Sequence, residues 1–329
     1  MSTLIDRFGR RHTDLRVSLT DRCSLRCTYC MPEQGMQWIE RGRHLTTPEL
    51  LRLVRVAVDQ GVRTIRLTGG EPLLRPDVVG IVRAIRAMPH SPEVALTTNG
   101  LRLTGLAAPL ADAGLGRVNI SLDTMDRQRF VRLTRRDRLV ETLAGIAAAK
   151  AAGLNPVKVN SVLMRGVNDD EAPTLLLWAL EQGVQLRFIE QMPLDAQHAW
   201  DASQMVTAAE IERSLADAGF ELTPAADRGS SPAEIFSVNG GPQTVGVIGS
   251  MTRPFCGDCD RVRLTSDGQW MNCLFARTET DLRTPLRAGA SDAELAALMR
   301  LDVAAKRRGH GTDDPGFTRP GRGMSAIGG

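Results

Sequence analysis

The chain has 329 residues, of which 42% are apolar and 24% charged, as is ordinary for a globular protein with a sizeable core. Its net charge of +3 is too small to indicate a nucleic-acid-binding protein, and no apolar run approaches the ~20 residues needed to cross a bilayer. The first twelve residues lack the apolar core of a signal peptide, so we expect a cytoplasmic protein with reduced cysteines and neither membrane nor nucleic-acid partners.

Short apolar runs alternate with helical patterns from about residue 14 to residue 190. We predict strands at 15–19, 64–68, 93–97, 117–121, 157–163 and 185–190. A helix is predicted at 47–60, where the hydroxyl of Thr47 precedes Pro48. Six strands that alternate with helices predict the α/β class, and six repeats fit an incomplete (β/α)6 barrel of the TIM type better than the complete eightfold barrel.

Residues 191–329 have weaker periodicity, more glycine and proline, and a second group of cysteines. We therefore predict a partial barrel at 1–190 and a C-terminal domain at 191–329, with a boundary uncertain by about ten residues. The last twenty residues have the composition of a flexible tail. The run at 126–138 holds six arginines and is interpreted as helical surface charge, because aromatic residues for base stacking are scarce.

All six cysteines fall into two triplets. The first has the spacing C-x3-C-x2-C and the second C-x2-C-x13-C; they are Cys23, Cys27, Cys30 and Cys256, Cys259, Cys273. A structural zinc site uses four protein ligands, and no histidine lies close in sequence to the second triplet. Three thiolates on a 4Fe–4S cluster leave one iron open to a ligand from outside the protein, which indicates chemistry rather than electron transfer alone. A non-enzymatic redox or zinc protein remains the alternative.

Four cations lie between apolar neighbours in the predicted strands: Arg16, Arg66, Lys158 and Arg187. Since side chains alternate along a strand and the outer face packs against helices, these cations are predicted to point into the barrel. Either carboxylates such as Glu71 and Glu190 neutralise them, or an anionic substrate does. Four inward cations favour a polyphosphate, which the guanidinium group of arginine suits well.

The first triplet, with Tyr29 before its last cysteine, resembles the motif of the radical S-adenosylmethionine (SAM) superfamily. The resemblance implies that the open iron chelates SAM and that the reduced cluster cleaves it to a 5′-deoxyadenosyl radical. It implies further SAM contacts in "TGGEP" (68–72) and at two strand ends, namely Gly69, Gly70, Glu71, Ser121 and Met192. Thr97, at the end of the third strand, is assigned to the substrate.

The whole chain, including "CGDCDRVRLT" and a terminal Gly328-Gly329, resembles the GTP 3′,8-cyclase family, which begins molybdenum cofactor biosynthesis. The resemblance implies two 4Fe–4S clusters, held by the two triplets, with SAM at the first and guanine at the second. Abstraction of the C3′ hydrogen of GTP and attack on C8 would give 3′,8-cyclo-7,8-dihydro-GTP. Arg16, Arg66, Lys158 and Arg187 would hold the triphosphate. The implied catalytic residues are Arg261, Arg263, Gly328 and Gly329; the two arginines would also bind substrate.

The partners expected from the resemblance are GTP, an electron donor and a cyclic pyranopterin monophosphate synthase that receives the product. The sequence leaves the oligomeric state open, with a homodimer as one candidate. The alternative activity is that of a radical SAM enzyme with an auxiliary cluster acting on another substrate, such as a peptide.

Overall fold

The computed structural model describes residues 3–225, 228–312 and 317–328. The strands are β1 (Asp14–Ser18), β2 (Thr64–Thr68), β3 (Glu93–Thr98), β4 (Arg117–Ser121), β5 (Val157–Val162), β6 (Gln185–Ile189), β7 (Leu222–Pro224), β8 (Glu234–Val238), β9 (Thr244–Ile248), β10 (Arg261–Leu264), β11 (Gln269–Met271) and β12 (Thr280–Asp281). The helices are α1 (Thr47–Asp59), α2 (Val78–Arg86), α3 (Leu103–Asp112), α4 (Arg127–Thr134), α5 (Leu139–Ala151), α6 (Ala172–Gln182), α7 (Ala208–Asp217), α8 (Arg283–Arg287), α9 (Asp292–Ala304) and α10 (Met324–Ile327). Within these ranges, no helix combines the length and apolarity needed to cross a membrane.

One sheet organises the fold, in the order β12-β11-β10-β1-β2-β3-β4-β5-β6-β9-β8-β7. Strands β1 to β6 are neighbours in chain order and pair in parallel. Helices connect them, which is the (β/α) arrangement that the alternating pattern predicts. The α/β class is therefore confirmed, and each of the six predicted strands is present to within a residue at either end.

The first helix has a proline in its first turn, as predicted, but its capping residue lies one position earlier than predicted. The N-cap is Thr46 rather than Thr47: its side chain accepts a hydrogen bond from the backbone N–H of Glu49, whose own side chain returns one to the Thr46 backbone. Thr47 is instead the first helical residue, and its hydroxyl donates to Asp77. Two adjacent threonines left the sequence pattern unable to tell the capping residue from its neighbour.

The strands after residue 190 extend the sheet at both of its edges. Strand β9 pairs in parallel with β6, and β10 pairs in parallel with β1. Short antiparallel strands then continue each edge, β8 and β7 beyond β9 and β11 and β12 beyond β10. The C-terminal part of the chain thus lies against both sides of the six-stranded unit, and the domain division at residue 190 stays a prediction.

The apolar side chains of the strands form the core beneath the helices. Leu15, Val17, Ile65 and Leu67 are fully buried, and they alternate with Arg16 and Arg66 on the opposite face. Helix α5 packs closely on the chain beyond β3, because Gly145 brings its backbone against the carbonyl oxygen of Gly100. The helical layer therefore fixes the outer face, and the polar residues of the strands are left to the interior.

We expect Gly145→Ala to destabilise the protein by about 1–3 kcal/mol, since its Cβ would lie 2.1 Å from the carbonyl oxygen of Gly100 and force α5 outward. Gly105→Ala in α3 is the matched control, because its Cβ meets no atom within 4 Å. That change should stabilise by about 0.4–1 kcal/mol through the entropy of the unfolded chain. Urea unfolding of both variants measures the difference, and equal stabilities would contradict the packing described.

Candidate active site between two cysteine triplets

A cavity of about 630 Å³ lies against the inner face of the sheet, and both cysteine triplets line it. The first triplet follows the carboxyl end of β1. Cys256 and Cys259 precede β10, whose first residue, Arg261, pairs with Asp14 at the start of β1. The two triplets therefore lie at opposite ends of the parallel strands, and a small molecule held between them can face both. The volume is in the usual range of ligand pockets.

Hydrogen bonds to backbone carbonyl groups hold the loop of the first triplet in place. Within it, the N–H of Cys30 donates to the carbonyl of Cys27 at 2.9 Å, which brings these two cysteines to one turn. At the end of α4, Arg135 donates to the carbonyls of Arg26 and Met31 at 3.1 and 3.0 Å. One member of the arginine run at 126–138 thus supports the cysteine loop, rather than serving only as the predicted surface charge.

The glycines of "TGGEP" allow a close approach, but between two parts of the protein backbone. A Cβ on Gly70 would lie 2.3 Å from the carbonyl oxygen of Arg22, and Gly69 has φ +147. Two backbone hydrogen bonds hold the two segments together: the N–H of Gly70 donates to the carbonyl of Thr20 and that of Glu71 to the carbonyl of Arg22, both at 2.7 Å. The motif therefore fixes the start of the cysteine loop, while Gly69, Gly70 and Glu71 also line the cavity.

The thiols of the first triplet lie in a buried, weakly polar setting. Burial raises the pKa of Cys23 to about 11 and that of Cys30 to about 12. Beside them, the hydroxyl of Tyr29 donates to Asp123 at 2.7 Å, and burial raises the pKa of that carboxyl to about 6. A cationic metal group would stabilise the thiolate form of these buried cysteines, which is the form that binds metals.

The second triplet is assembled by a short turn and a hairpin. Cys256 and Cys259 flank one 3-10 turn, and antiparallel pairing of β10 with β11 returns the chain so that Cys273 lies at the same cavity. Burial acts to raise the pKa of Cys259, but the positive charges of Arg261 and Lys306 outweigh it, so that this pKa is lowered. The two triplets therefore differ in their electrostatic surroundings.

Cations line the wall between the two triplets. The sheet register places Arg16 beside Arg66 and Arg263, and Lys158 on the strand next to Arg187. Burial, together with neighbouring cations, lowers the pKa of Lys158 to about 7 and that of Arg66 to about 9. Asp14 and Glu93 act against these shifts but only in part, so the positive charges are incompletely compensated.

The carboxylates considered as counter-ions are engaged elsewhere. Glu71 accepts hydrogen bonds from Leu73, Thr98 and Asn99, at 2.7–3.0 Å. Glu190, which is fully buried, accepts from the backbone N–H groups of Ala208, Met251 and Thr252 at the start of α7 and in the loop after β9. Within the described residues, no carboxylate lies within 4 Å of the basic groups of four cations, Arg16, Arg66, Lys158 and Arg187.

Several buried polar atoms on this wall have no hydrogen-bond partner among the described residues. Buried side-chain atoms without a hydrogen-bond partner in the described ranges include Arg16 Nε, Arg66 Nε and Nη1, Arg187 Nε, Asn119 Oδ1 and Asn160 Oδ1. All these residues line the cavity, so each atom can bond to something held inside it. An anion with several oxygens satisfies both the charges and the guanidinium donors.

The end of the chain closes one side of the cavity. Ser325 in α10 lines it, and Ile327 is fully buried. Arg263 donates a hydrogen bond to the carbonyl of Gly328, whose φ is +84 and whose Cα packs on Thr68. The described end of the tail therefore packs against the cavity, whereas its composition predicts a flexible segment. Gly329 lies outside the described residues.

The structure brings most of the sequence-predicted site residues to this one cavity; Gly328 contacts Arg263 but is not on the lining. Those on its lining are Arg16, Cys23, Cys27, Tyr29, Cys30, Arg66, Gly69, Gly70, Glu71, Thr97, Ser121, Lys158, Arg187, Met192, Cys256, Cys259, Arg261, Arg263 and Cys273. Sequence analysis missed Asn119 and Asn160, although the same alternation that singled out Lys158 applies to both. It also missed Lys306, because no sequence pattern predicts that a lysine just after a helix is buried.

The donor sets suit two iron–sulfur clusters. Each triplet offers three thiols without a disulfide partner on the wall of a large cavity, which also holds space and hydrogen-bonding groups for a second molecule. Three thiolates around an open iron need such space.

Comparisons with known proteins agree with this site. Residues 17–179 match the Radical SAM superfamily, and residues 184–312 match the Molybdenum Cofactor Synthesis C family. A GTP 3′,8-cyclase of Streptomyces coelicolor is 58% identical over 99% of this chain and 96% of its own length. One from a Mycobacterium species is 53% identical over 99% of this chain and 93% of its own. The chain belongs to the GTP 3′,8-cyclase family.

Its activity follows from that membership: it is a radical SAM lyase that uses SAM and iron–sulfur clusters and converts GTP in the first step of molybdenum cofactor biosynthesis. The fold also resembles the crystal structure of Streptococcus suis SuiB bound to precursor peptide SuiA. The TM-score is 0.65 over 91% of this chain and 69% of that chain, at 14% identity. A likeness at that identity concerns the fold alone, so it does not favour the alternative of a peptide substrate.

Lys158 should make anion binding depend on pH. In the free protein its pKa is about 7, lowered by burial and by Arg187, Arg117 and Arg66, with Glu93 opposing. A bound polyphosphate favours the charged lysine, so binding takes up a proton above pH 7 and affinity falls as pH rises, by up to tenfold per pH unit. Calorimetric titration with inorganic triphosphate between pH 7 and 9 measures this.

Lys158→Arg is the control for that measurement, because a guanidinium keeps its charge to higher pH than an ammonium at the same place. The ligand's own titration is common to both proteins and cancels in the ratio of their affinities. We expect the ratio of wild-type to Lys158→Arg affinity to fall with pH. A ratio that is constant from pH 7 to pH 9 would show that Lys158 does not titrate on binding.

Proposed function

We propose specific roles for the cavity residues in the conversion of GTP to (8S)-3′,8-cyclo-7,8-dihydroguanosine 5′-triphosphate. The observation that carries the proposal is the single cavity with one cysteine triplet at each end and unpaired cations on the wall between them. A nucleoside triphosphate has a base for one end, a ribose for the middle and an anionic chain for the cations. The protein's part is to hold these groups in one orientation.

Cys23, Cys27 and Cys30 hold the first 4Fe–4S cluster, which with SAM supplies the radical that removes a hydrogen atom from the ribose. Residues around this triplet orient SAM: Tyr29, Gly69, Gly70, Glu71, Ser121 and Met192. The carboxylate of Glu71 is fully engaged by Leu73, Thr98 and Asn99, so we assign the SAM contact to the backbone of this loop. Exclusion of water by the buried loop protects a reactive radical from quenching.

The substrate's phosphates are assigned to the cations that lack partners. Arg16, Arg66, Lys158 and Arg187 would each bond to phosphate oxygens, and Thr97 would bond to the nucleotide from the adjacent strand. Cys256, Cys259 and Cys273 would hold the second cluster, which would supply a binding position for the guanine base. These contacts fix C3′ and C8 relative to each other, which is what ring closure requires.

Arg261 and Arg263 extend from β10 beside the second triplet, and we assign them to nucleotide orientation and the late reduction. Arg261 is positioned by the ring of Phe255, 4.5 Å from its guanidinium carbon, and by the carbonyl of Ser230 at 3.0 Å. Arg263 binds the carbonyl of Gly328. Gly328, with Gly329 beyond it, would complete the site, and the arginine links this tail to the nucleotide.

The setting of the reaction is also part of the proposal. Because reduction requires electrons from outside, we propose an external electron donor, and transfer of the product to a cyclic pyranopterin monophosphate synthase. The protein would act in the cytoplasm, where thiols remain reduced. We also propose that the protein forms a homodimer and that its two domains divide at residue 190.

The cluster assignment predicts iron content. Anaerobically reconstituted wild type should hold about eight irons per chain, as two four-iron clusters require. Cys256→Ala should hold about four, still bind SAM and form no cyclised product from GTP, whereas Cys23→Ala should lose SAM cleavage. Colorimetric iron and sulfide analysis, with chromatography after incubation with SAM, GTP and a reductant, checks each point.

Asp258→Ala is the control for these variants, since this exposed residue lies between Cys256 and Cys259 and lines no part of the cavity. It should keep about eight irons. Zinc without acid-labile sulfide in the wild type would contradict the proposed function. Normal product from Cys256→Ala would contradict the placement of guanine at the second triplet.

The tail assignment predicts that Gly328→Ala lowers product formation about tenfold or more, while iron content and thermal stability stay nearly unchanged. Its Cβ would lie 2.8 Å from Thr68 Cγ2, and φ +84 is strained for alanine, so the carbonyl would leave Arg263. Gly321→Ala, whose Cβ meets no atom within 4 Å, is the control. Wild-type turnover by Gly328→Ala would contradict a role for Gly328 in the active site.

A further inference from the structure

A chain of hydrogen-bonded side chains lies behind the second triplet and leads to the sulfur of Cys259. At its centre is Lys306, two residues beyond the end of α9 and almost fully buried. Its Nζ lies 2.7 Å from the carbonyl oxygen of Arg261, 3.4 Å from the Sγ of Cys259 and 3.4 Å from the Nδ1 of His12. None of the site roles above includes Lys306 or His12.

The number of donors and acceptors in this group determines where the protons point. An ammonium group has three N–H donors and no acceptor, and Lys306 has three acceptors within reach: the Arg261 carbonyl, the Cys259 sulfur and His12 Nδ1. His12 can accept at Nδ1 only as a neutral ring with its proton on Nε2. That nitrogen lies 3.1 Å from a carboxylate oxygen of Asp6, to which its N–H donates a hydrogen bond. Burial, with the charge of Lys306, lowers the pKa of His12 to about 4, so the ring is neutral.

The same chain ends at the other cysteine of the turn. Asp6 also accepts from the Nε of Arg10 at 2.6 Å and from the N–H of Phe8 at 2.8 Å. Arg10 in turn donates to the carbonyl of Cys256. The N-terminal segment thus contacts Cys256 at its backbone, and Lys306, beyond α9, contacts Cys259 at its sulfur.

The choice of lysine here is informative in a chain that otherwise uses arginine. Lysine occurs at three positions, Lys150, Lys158 and Lys306, among 41 basic residues. A compact ammonium can direct its protons to three separate acceptors, whereas the planar guanidinium presents its donors in a fixed fork. A buried positive charge beside a thiolate also stabilises negative charge on whatever that thiolate binds.

We propose that Lys306 is a positioning residue for the second triplet: it orients Cys259 and raises the reduction potential of the cluster held there. The inference rests on the proposed assignment of this triplet to a 4Fe–4S cluster. Reduction adds an electron to the cluster, and a nearby ammonium with an N–H···S bond stabilises the added charge. Without Lys306, the reduced state loses that stabilisation and the potential falls.

The test compares the reconstituted full-length protein, carrying both clusters, with Lys306→Met and Lys306→Gln. Anaerobic potentiometric titration followed by EPR resolves two one-electron transitions, and the one missing from Cys256→Ala belongs to the second cluster. We expect that transition to move to lower potential in both variants by about 59 mV, a tenfold change in the ratio of reduced to oxidised cluster. The transition of the first cluster should not move, and Lys150→Met, an exposed lysine of α5, should leave both in place.

Each possible result decides the proposal. An unchanged potential in the variants would leave Lys306 a purely structural link and overturn the inference, as would equal shifts of both transitions. If Lys306→Met does not retain the second cluster, Lys306→Gln decides, because it keeps N–H donors without the charge. Iron analysis of the wild type is done first: about four irons would contradict the cluster assignment itself, independently of Lys306.

Discussion

Positive charge that the parallel strands direct into an enclosed cavity, without carboxylates to neutralise it, is the constraint on which the rest of the site depends. The helices and apolar side chains on the outer face leave the inner face as the only place for Arg16, Arg66 and Arg187. Burial and mutual repulsion lower their pKa values, so the ligand-free protein holds these groups at a cost in free energy. A polyphosphate bound there, as we propose, would remove that cost, so that the cations would contribute to binding rather than to stability.

That binding energy is useful because the reactive groups are at the two ends of the same strands. The first triplet follows β1, whereas Cys256 and Cys259 of the second precede β10, the parallel neighbour of β1. A substrate anchored along the wall between them cannot leave either end without losing contacts to several charges. Orientation of this kind lowers the entropic barrier to joining two atoms of one molecule, which is the step that the family performs.

Segments far apart in the sequence build the second end of the cavity. The N-terminal segment supplies Asp6, Arg10 and His12, the end of α9 supplies Lys306, and the tail reaches Arg263 through Gly328. Because Arg10 and His12 contact residues 246 and 294 positions away, this end of the cavity forms only when the N-terminal segment and the chain beyond β9 have come together. Assembly of the second end is therefore coupled to folding of the whole chain.

The sequence by itself determined the six central strands, the two cysteine triplets and the inward direction of Lys158 and its companions. These follow from local rules: alternation along a strand, spacing of ligands and the cost of an unpaired buried charge. The same rules would have found Asn119 and Asn160. Tertiary structure alone decided that strands beyond residue 190 flank both edges of the sheet and that the triplets face each other from opposite ends. It also decided that Glu71 and Glu190 bind backbone rather than cations, and that Lys306 points at a sulfur. Such pairings join distant residues, and no local pattern encodes which distant group a side chain will meet.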